Sequence, residues 1–194
     1  MHGANRLGGN SLSDLVVFGM LAGRHAAEHS AASGCPAPVL EEVLDGHAEE
    51  ALAPFDEHGE ENPYSIQNDL QECMSSLVGI IRTESEMLEA LDRLEVLKER
   101  LARVHVEGHR QYNPGWHLAL DLRSLLAVSE CIARAALERQ ESRGAQTRDD
   151  FPTTDSQWGK RRVVIRQPAG EVVVSQEPLS EMPEELRQLV EEEG

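Results

Sequence analysis

The residue of this sequence best suited to bind a ligand is an arginine in a glycine-rich segment at the start of the chain. Arg6 lies within residues 1–10, which contain three glycines and two asparagines. A guanidinium binds a carboxylate through two parallel hydrogen bonds and does not lose its charge, and glycine lets a backbone approach a ligand closely. The segment therefore indicates a carboxylate-binding loop, while a surface turn with an unremarkable arginine is the alternative.

The element that must position Arg6 is a helix that we expect at about residues 12–29. Ser11 or Ser13 can cap its N-terminus, and Asp14 falls in its first turn. Backbone N–H groups at a helix N-terminus favour an anion or the electron-rich edge of a ring. Apolar residues cover nearly the whole circumference of this helix, which predicts that it is buried on most sides.

The overall charge excludes several classes of function. Lys and Arg number 18 against 35 Asp and Glu, so the formal net charge is −17. Such a chain is repelled by phosphate backbones and anionic lipids, which argues against nucleic-acid binding and polybasic membrane docking. The longest apolar stretches, such as residues 15–22, are shorter than the roughly 20 residues that a membrane span needs. We also find no secretory signal pattern.

The cysteines and histidines form no pattern that predicts a metal site or a nucleophile. The three cysteines include no CxxC pair, which is typical of free thiols in a reducing compartment. Among eight histidines, only His25 and His29 have a ligand-like helical spacing, and no matching Asp, Glu or Cys accompanies them. We therefore predict no bound metal and assign no catalytic residue with confidence in this chain.

Three amphipathic helices are predicted in the middle of the sequence. The first begins at Pro63, the second follows a capping box at residues 83–86 and ends near Val106, and the third spans about residues 116–139. Short connections between them predict an up-and-down bundle. Tyr112 and Trp116 are expected to be packing anchors where the third helix begins.

The segments on either side of this bundle differ from it in charge and pattern. Residues 41–61 contain nine acidic residues and no Lys or Arg, which indicates an exposed linker with a short helix at about residues 38–45. Residues 143–166 contain six basic and three acidic residues, which indicates internal ion pairs or a protein interface. Valine-rich runs at residues 163–165 and 172–174 predict a β-hairpin, followed by a short acidic helix.

Three blocks of sequence resemble one enzyme family, in the order that the family has them. Residues 2–12 (HGANRLGGNSL), continuing through residues 14–19, resemble the last motif of the FAD-binding domain in the flavoprotein subunit of succinate dehydrogenase and fumarate reductase. Residues 113–123 (NPGWHLALDLR) and 141–152 (ESRGAQTRDDFP) resemble the helical C-terminal domain of that subunit. The sequence departs from the family at Met20, where an Arg is common, and at Gln146, where a His is usual.

The resemblance implies a site and an activity. Arg6 would match the arginine that binds a carboxylate of succinate or fumarate, and Asn10, Ser11 and Leu12 would match positions that hold the isoalloxazine edge of FAD. In this family, hydride moves between the dicarboxylate and FAD, and electrons pass to an iron–sulfur subunit. The resemblance therefore implies part of an electron-transport enzyme of the tricarboxylic acid cycle.

The resemblance also implies that much of the enzyme precedes this chain. The dinucleotide-binding segment, the histidine that attaches FAD, the capping domain and the proton-shuttling arginine all lie upstream in the family. We expect a separated C-terminal piece that is inactive alone and that works with the missing N-terminal half, an iron–sulfur subunit and membrane anchor subunits. We expect it to be a peripheral membrane protein, on the cytoplasmic side of the inner membrane if the source is bacterial.

The expected architecture is mainly α, with four parts. They are a remnant of an FAD-binding domain at 1–30, an acidic linker at 31–62, a three-helix bundle at 63–142, and a C-terminal extension with a hairpin and short helix at 143–194. Two alternative functions stay open: a non-catalytic helical interaction module, and a related flavoprotein such as L-aspartate oxidase, which shares the arginine motif.

Overall fold

The computed structural model describes residues 2, 5–35, 37–55 and 59–192 of the chain. Three of its helices form an up-and-down bundle: α3 (Pro63–Leu77), α4 (Glu84–Leu101) and α5 (Pro114–Glu138). Both α3 and α5 begin at an Asn-Pro pair, because the asparagine side chain accepts from a first-turn amide and proline has no N–H to leave unsatisfied. The mainly helical fold predicted from the sequence is confirmed.

The bundle core is aliphatic and spans all three helices. Spacings of three and four residues place one stripe of each helix inward, as in any amphipathic bundle. The buried residues at its centre are Ile66, Leu70 and Cys73 of α3, Ala90, Leu94 and Leu97 of α4, and Leu118, Leu122, Leu126 and Ala133 of α5.

Helix α4 begins where its capping box predicts and ends earlier than expected. Thr83 Oγ1 accepts from the N–H of Glu86, and the N–H of Thr83 donates to Glu86 Oε2. The helix ends at Leu101 rather than near Val106, because the following backbone binds the segment before α3. The N–H of Val106 donates to the carbonyl of Pro54 at 2.7 Å, a bond that a continuing helix would not allow.

The strands are short and pair in two separate places. Strand β1 (Ile81–Arg82) pairs in parallel with β2 (Thr147–Arg148), which attaches the C-terminal extension to the start of α4. Strands β3 (Arg161–Arg166) and β4 (Val173–Pro178) form the expected antiparallel hairpin, with Val164 opposite Ser175. Helix α6 (Glu184–Glu192) follows the hairpin.

Helix α2 (Glu41–Leu52) lies further along the acidic segment than expected and extends beyond the predicted end. Its C-terminal end is attached to the bundle by Trp116, whose Nε1–H donates to the carbonyl of Ala51 at 2.7 Å. The ring of Trp116 also packs on Phe55, with centroids 5.4 Å apart. Trp116 is therefore the predicted packing anchor, whereas Tyr112 is 99% exposed and the same expectation for it is wrong.

Helix α1 (Asn10–Ser33) forms where the sequence predicts, but its surroundings differ from the prediction. None of its residues is buried, and Leu15 and Val16 are exposed. The expected burial therefore does not come from the described residues of this chain. Ser11 and Ser13 are not its N-cap either, because Gly9 adopts a left-handed conformation (φ 82°) that lets the helix begin at Asn10.

Among the described residues, no helix is long and apolar enough to cross a membrane.

Candidate functional site

The segment that carries Arg6 turns tightly into α1. The N–H of Asn10 donates to the carbonyl of Leu7 at 3.2 Å, and the N–H of Leu12 donates to the carbonyl of Gly9 at 3.0 Å. Gly9 supplies the positive φ that this turn requires, which most other residues adopt only with strain. The glycine-rich sequence thus folds into a turn that places Arg6 shortly before the helix N-terminus.

Arg6 lies exposed on the surface of the chain. Among the residues that the structure describes, no side chain forms a hydrogen bond or salt bridge with its guanidinium, although the chain contains 35 acidic residues. Other arginines of the chain bind carboxylates within the fold, as Arg100 does with Glu61 and Asp69. The guanidinium of Arg6 is therefore available to a carboxylate from outside the described chain.

The three residues expected to hold a flavin ring lie in the first turn of α1. Asn10 and Leu12 are exposed and Ser11 is half-buried. The helix has no side-chain cap, so its N-terminus is open to an external acceptor. A Cβ added at Gly8 or Gly9 would meet nothing within 4 Å. The surface around this helix end is therefore open to a ligand that approaches from outside the chain.

A histidine and an aspartate that the sequence analysis did not pair lie beside this turn. Nε2 of His2 is 3.5 Å from Oδ2 of Asp14, and both side chains are about two-thirds covered. The other ring nitrogen, Nδ1 of His2, is enclosed and has no hydrogen-bond partner among the described residues. Their separation of twelve positions gives no periodic signal, so spacing alone could not have identified the pair.

The block at residues 141–152 forms a dense polar cluster at the C-terminal end of α5. Arg148 is completely buried, and its Nη1 donates to the carbonyls of Ala136 and Leu137 at 3.1 Å each. These are carbonyls of the last helical turn, which have no partner within the helix itself. Arg148 therefore caps the helix, and its charge is balanced by Asp150.

A second buried carboxylate lies in the same cluster. Glu141 accepts from Arg139, from Arg143 Nε at 2.9 Å, and from the N–H of Asp155 at 2.9 Å. Burial alone would raise the pKa of Glu141, but these hydrogen bonds outweigh it and hold the pKa below its ordinary value. Both carboxylate oxygens of Glu141 accept hydrogen bonds within the fold, so this residue is not a candidate general acid or base.

Gln146, one of the two departures from the family pattern, forms two hydrogen bonds within the fold. Its Oε1 accepts from Arg82 Nη1 at 2.6 Å, and its Nε2 donates to the carbonyl of Ala136 at 3.1 Å. The uncharged side-chain amide of Gln146 therefore links β1 to the end of α5.

The basic residues of the C-terminal extension are largely satisfied by internal partners. Arg162 and Arg166 both bind Glu177 across the hairpin, at 2.9 Å and 2.5 Å. The predicted internal ion pairs are therefore present. In the described part of the chain, no group of three His, Cys, Asp or Glu side chains could hold a metal ion.

The Arg6 turn and the C-terminal cluster are separate features. Within the described ranges, no hydrogen bond or ion pair joins residues 2–33 to the bundle. The structure thus places the substrate and flavin candidates around one helix end, the second sequence block in helix α5 of the bundle, and the third in the polar cluster at the end of α5.

The family described as "Fumarate reductase flavoprotein C-term" matches this chain over residues 67–189. That match covers the bundle and the C-terminal extension.

Individual proteins give longer matches. The fumarate reductase flavoprotein subunit of Serratia sp. is 38% identical over 80% of this chain and 26% of its own length. The succinate dehydrogenase flavoprotein subunit of Coxiella burnetii is 36% identical over 86% of this chain and 29% of its own length. The chain thus spans less than a third of the curated relatives that it matches here.

The structural match is equally extensive. A chain of Mycobacterium smegmatis Sdh1, solved in complex with UQ1, superposes with a TM-score of 0.89 and 48% sequence identity. The superposition covers 98% of this chain and 33% of that one.

Proposed function

Because this chain belongs to the fumarate reductase flavoprotein C-terminal family, we propose that it is the C-terminal portion of a succinate dehydrogenase or fumarate reductase flavoprotein. The enzyme would interconvert succinate and fumarate. Since the chain spans about a third of its relatives, the remaining portion of the flavoprotein would have to come from a separate or preceding polypeptide.

The observation that carries the proposal is the exposed guanidinium of Arg6 beside the open N-terminus of α1. A cation that has no partner among the described residues, in a chain of net charge −17, is suited to an external carboxylate rather than to the fold. The adjacent first turn of α1 offers backbone donors to a second electronegative group. One helix end can therefore receive a dicarboxylate and a flavin edge side by side.

The residues of this chain have distinct tasks in that site. Arg6 binds and orients one carboxylate of the substrate through its planar guanidinium. Asn10, Ser11 and Leu12, in the first turn of α1, would hold the ring edge of FAD. When bound, FAD supplies the acceptor or donor of a hydride. The proton shuttle would come from the upstream portion.

The remaining parts would serve assembly. We assign residues 1–30 to the end of the FAD-binding domain, 31–62 to an acidic connection, 63–142 to the bundle and 143–194 to the C-terminal extension. The partners would be the upstream flavoprotein portion, an iron–sulfur subunit that receives the electrons, and membrane anchor subunits. The chain would then lie peripherally on the cytoplasmic face of the membrane.

A chimera tests the proposal. The upstream two-thirds of the Mycobacterium smegmatis Sdh1 chain, which superposes on this protein at 48% identity, is joined ahead of residue 2. With flavin bound, the chimera should reduce a dye when supplied with succinate. Arg6→Ala should lose activity by roughly 100-fold or more, since it removes a charged contact to the reacting substrate, while the flavin absorbance stays unchanged.

Two controls make the result specific. Arg24→Ala removes an exposed arginine near the other end of α1 and should leave activity unchanged. Aspartate in place of succinate tests the L-aspartate oxidase alternative and should give no dye reduction. Equal activity of Arg6→Ala and the unmodified chimera would refute the substrate role and favour a non-catalytic module.

A further inference from the structure

The segment that carries Arg6 is attached to α1 at two points. On its C-terminal side, the N–H of Asn10 closes a turn by donating to the carbonyl of Leu7. On its N-terminal side, the His2 ring reaches forward to the Asp14 carboxylate, 3.5 Å away. The two attachments hold the backbone to α1 on both sides of Arg6.

The His2–Asp14 contact differs from the other histidine–carboxylate contacts of the chain. His25 with Glu28 and His47 with Glu50 are pairs three residues apart on a helix surface, and in each pair both side chains are more than 60% exposed. His2 and Asp14 are twelve residues apart, and their side chains are 30% and 33% exposed. Contacts of the surface kind contribute little, whereas a partly covered contact between distant positions restricts the chain between them.

Restriction of this loop matters for a ligand-binding arginine. A guanidinium on a free segment samples many directions, and binding must then remove that freedom at a cost in affinity. A loop that is attached to α1 on both sides of Arg6 presents the guanidinium from a smaller set of backbone conformations. The remaining neighbours, residues 5–10, are all exposed and offer no packing that could do the same.

We propose that the His2–Asp14 pair positions Arg6 for the substrate carboxylate, an inference that rests on the function proposed above for Arg6. His2 is a positioning residue, because it acts through the loop backbone and not on the reacting atoms. Asp14 provides the fixed point, since it lies in the second turn of α1 and moves with the helix.

Hydrogen exchange on the 194-residue chain tests the loop directly. The amides of Asn10 and Leu12 form the turn hydrogen bonds and serve as reporters in an NMR measurement. His2→Ala and Asp14→Asn should each speed their exchange about three- to fivefold, the effect of losing one partly covered side-chain contact. The double variant should match either single variant, because both remove the same contact.

Matched controls separate this contact from a general effect of histidine. His25→Ala removes an exposed histidine that pairs with Glu28 on the same helix and should leave the Asn10 and Leu12 exchange rates unchanged. Asp14→Glu keeps a carboxylate within reach of His2 and should restore slow exchange. Unchanged exchange in both His2→Ala and Asp14→Asn would overturn the inference.

Kinetics on the chimera distinguish a failure of this inference from a failure of the proposed function. His2→Ala should raise the KM for succinate about three- to fivefold and change kcat by less than about twofold, because binding geometry and not chemistry is affected. If Arg6→Ala abolishes activity while His2→Ala leaves KM unchanged, the positioning role is refuted and the proposed function stands. If Arg6→Ala has no effect, the proposed function fails, and the positioning role fails with it.

Discussion

The carboxylate of Asp150 forms a bidentate ion pair with the guanidinium of Arg148. Nε of Arg148 lies 2.7 Å from Oδ1 and Nη2 lies 2.6 Å from Oδ2. The Arg148 side chain is completely enclosed, and Asp150 is the one acidic partner that the described residues give it. This pair connects the C-terminal extension both to the end of α5 and, through the N–H of Glu84 on Asp150 Oδ2, to the start of α4.

Asp150→Asn should lower the free energy of unfolding by about 3 kcal/mol, because it leaves a buried guanidinium without its counter-charge. Chemical denaturation followed by circular dichroism measures the loss. Asp149→Asn is the matched control, since the Asp149 side chain is exposed and has no partner among the described residues. Its effect should be within about 0.5 kcal/mol. Identical unfolding of the two variants would contradict a stabilising role for the ion pair.

The stability of the chain should fall in acid partly through the same residue. Hydrogen bonds from Arg148 lower the pKa of Asp150 from 3.8 to about 2. Because the folded-state pKa is the lower one, the carboxylate stabilises the fold above about pH 4 and loses this effect as the pH falls towards 2. Denaturation midpoints measured from pH 6 to pH 2 should fall more steeply for the unmodified chain than for Asp150→Asn. Parallel curves would contradict the assignment.

Replacement of Gln146 by the usual residue of the family should make the fold sensitive to pH. In Gln146→His, a neutral imidazole can accept from Arg82 and donate to the carbonyl of Ala136, as the amide does now. A protonated ring cannot accept and would face a guanidinium, so its folded-state pKa is lowered. Stability should therefore be near that of the unmodified chain above about pH 7 and fall below about pH 6.

Thermal unfolding of Gln146→His at a series of pH values measures this effect. The unmodified chain, which has an amide at this position, provides the control and should show no such step near pH 6.5. A variant whose melting temperature does not change between pH 8 and pH 5.5 would show that the hydrogen bond to Arg82 is unimportant.

The purified chain alone should be colourless. The residues expected to contact FAD lie on one exposed helix end, and a single helix end buries too little of a cofactor to retain it through purification. Absorbance near 450 nm should appear only after the chain is combined with the upstream portion of a related flavoprotein. A stoichiometric flavin spectrum from the isolated chain would contradict the proposed division of the site.

Local patterns were sufficient to predict much of the secondary structure. The capping box at Thr83, the helix start at Pro63 and the valine-rich runs on either side of Pro168 each depend on residues within a few positions of one another. The hydrogen bonds involved form inside one element or one hairpin, so the sequence alone shows both partners. For the same reason, the sequence alone shows the Arg6 motif, whose residues lie within a few positions of one another.

Only the tertiary structure decided which polar groups are enclosed and which apolar groups are not. Composition does not show that Arg148 is buried at the end of α5 or that α4 stops at Leu101, because the partners come from segments far away in the sequence. The exposure of α1 and the contact between His2 and Asp14 likewise depend on which segments meet in the folded chain. Burial and long-range pairing depend on how elements meet in space, whereas helix and turn formation depend on neighbours along the chain.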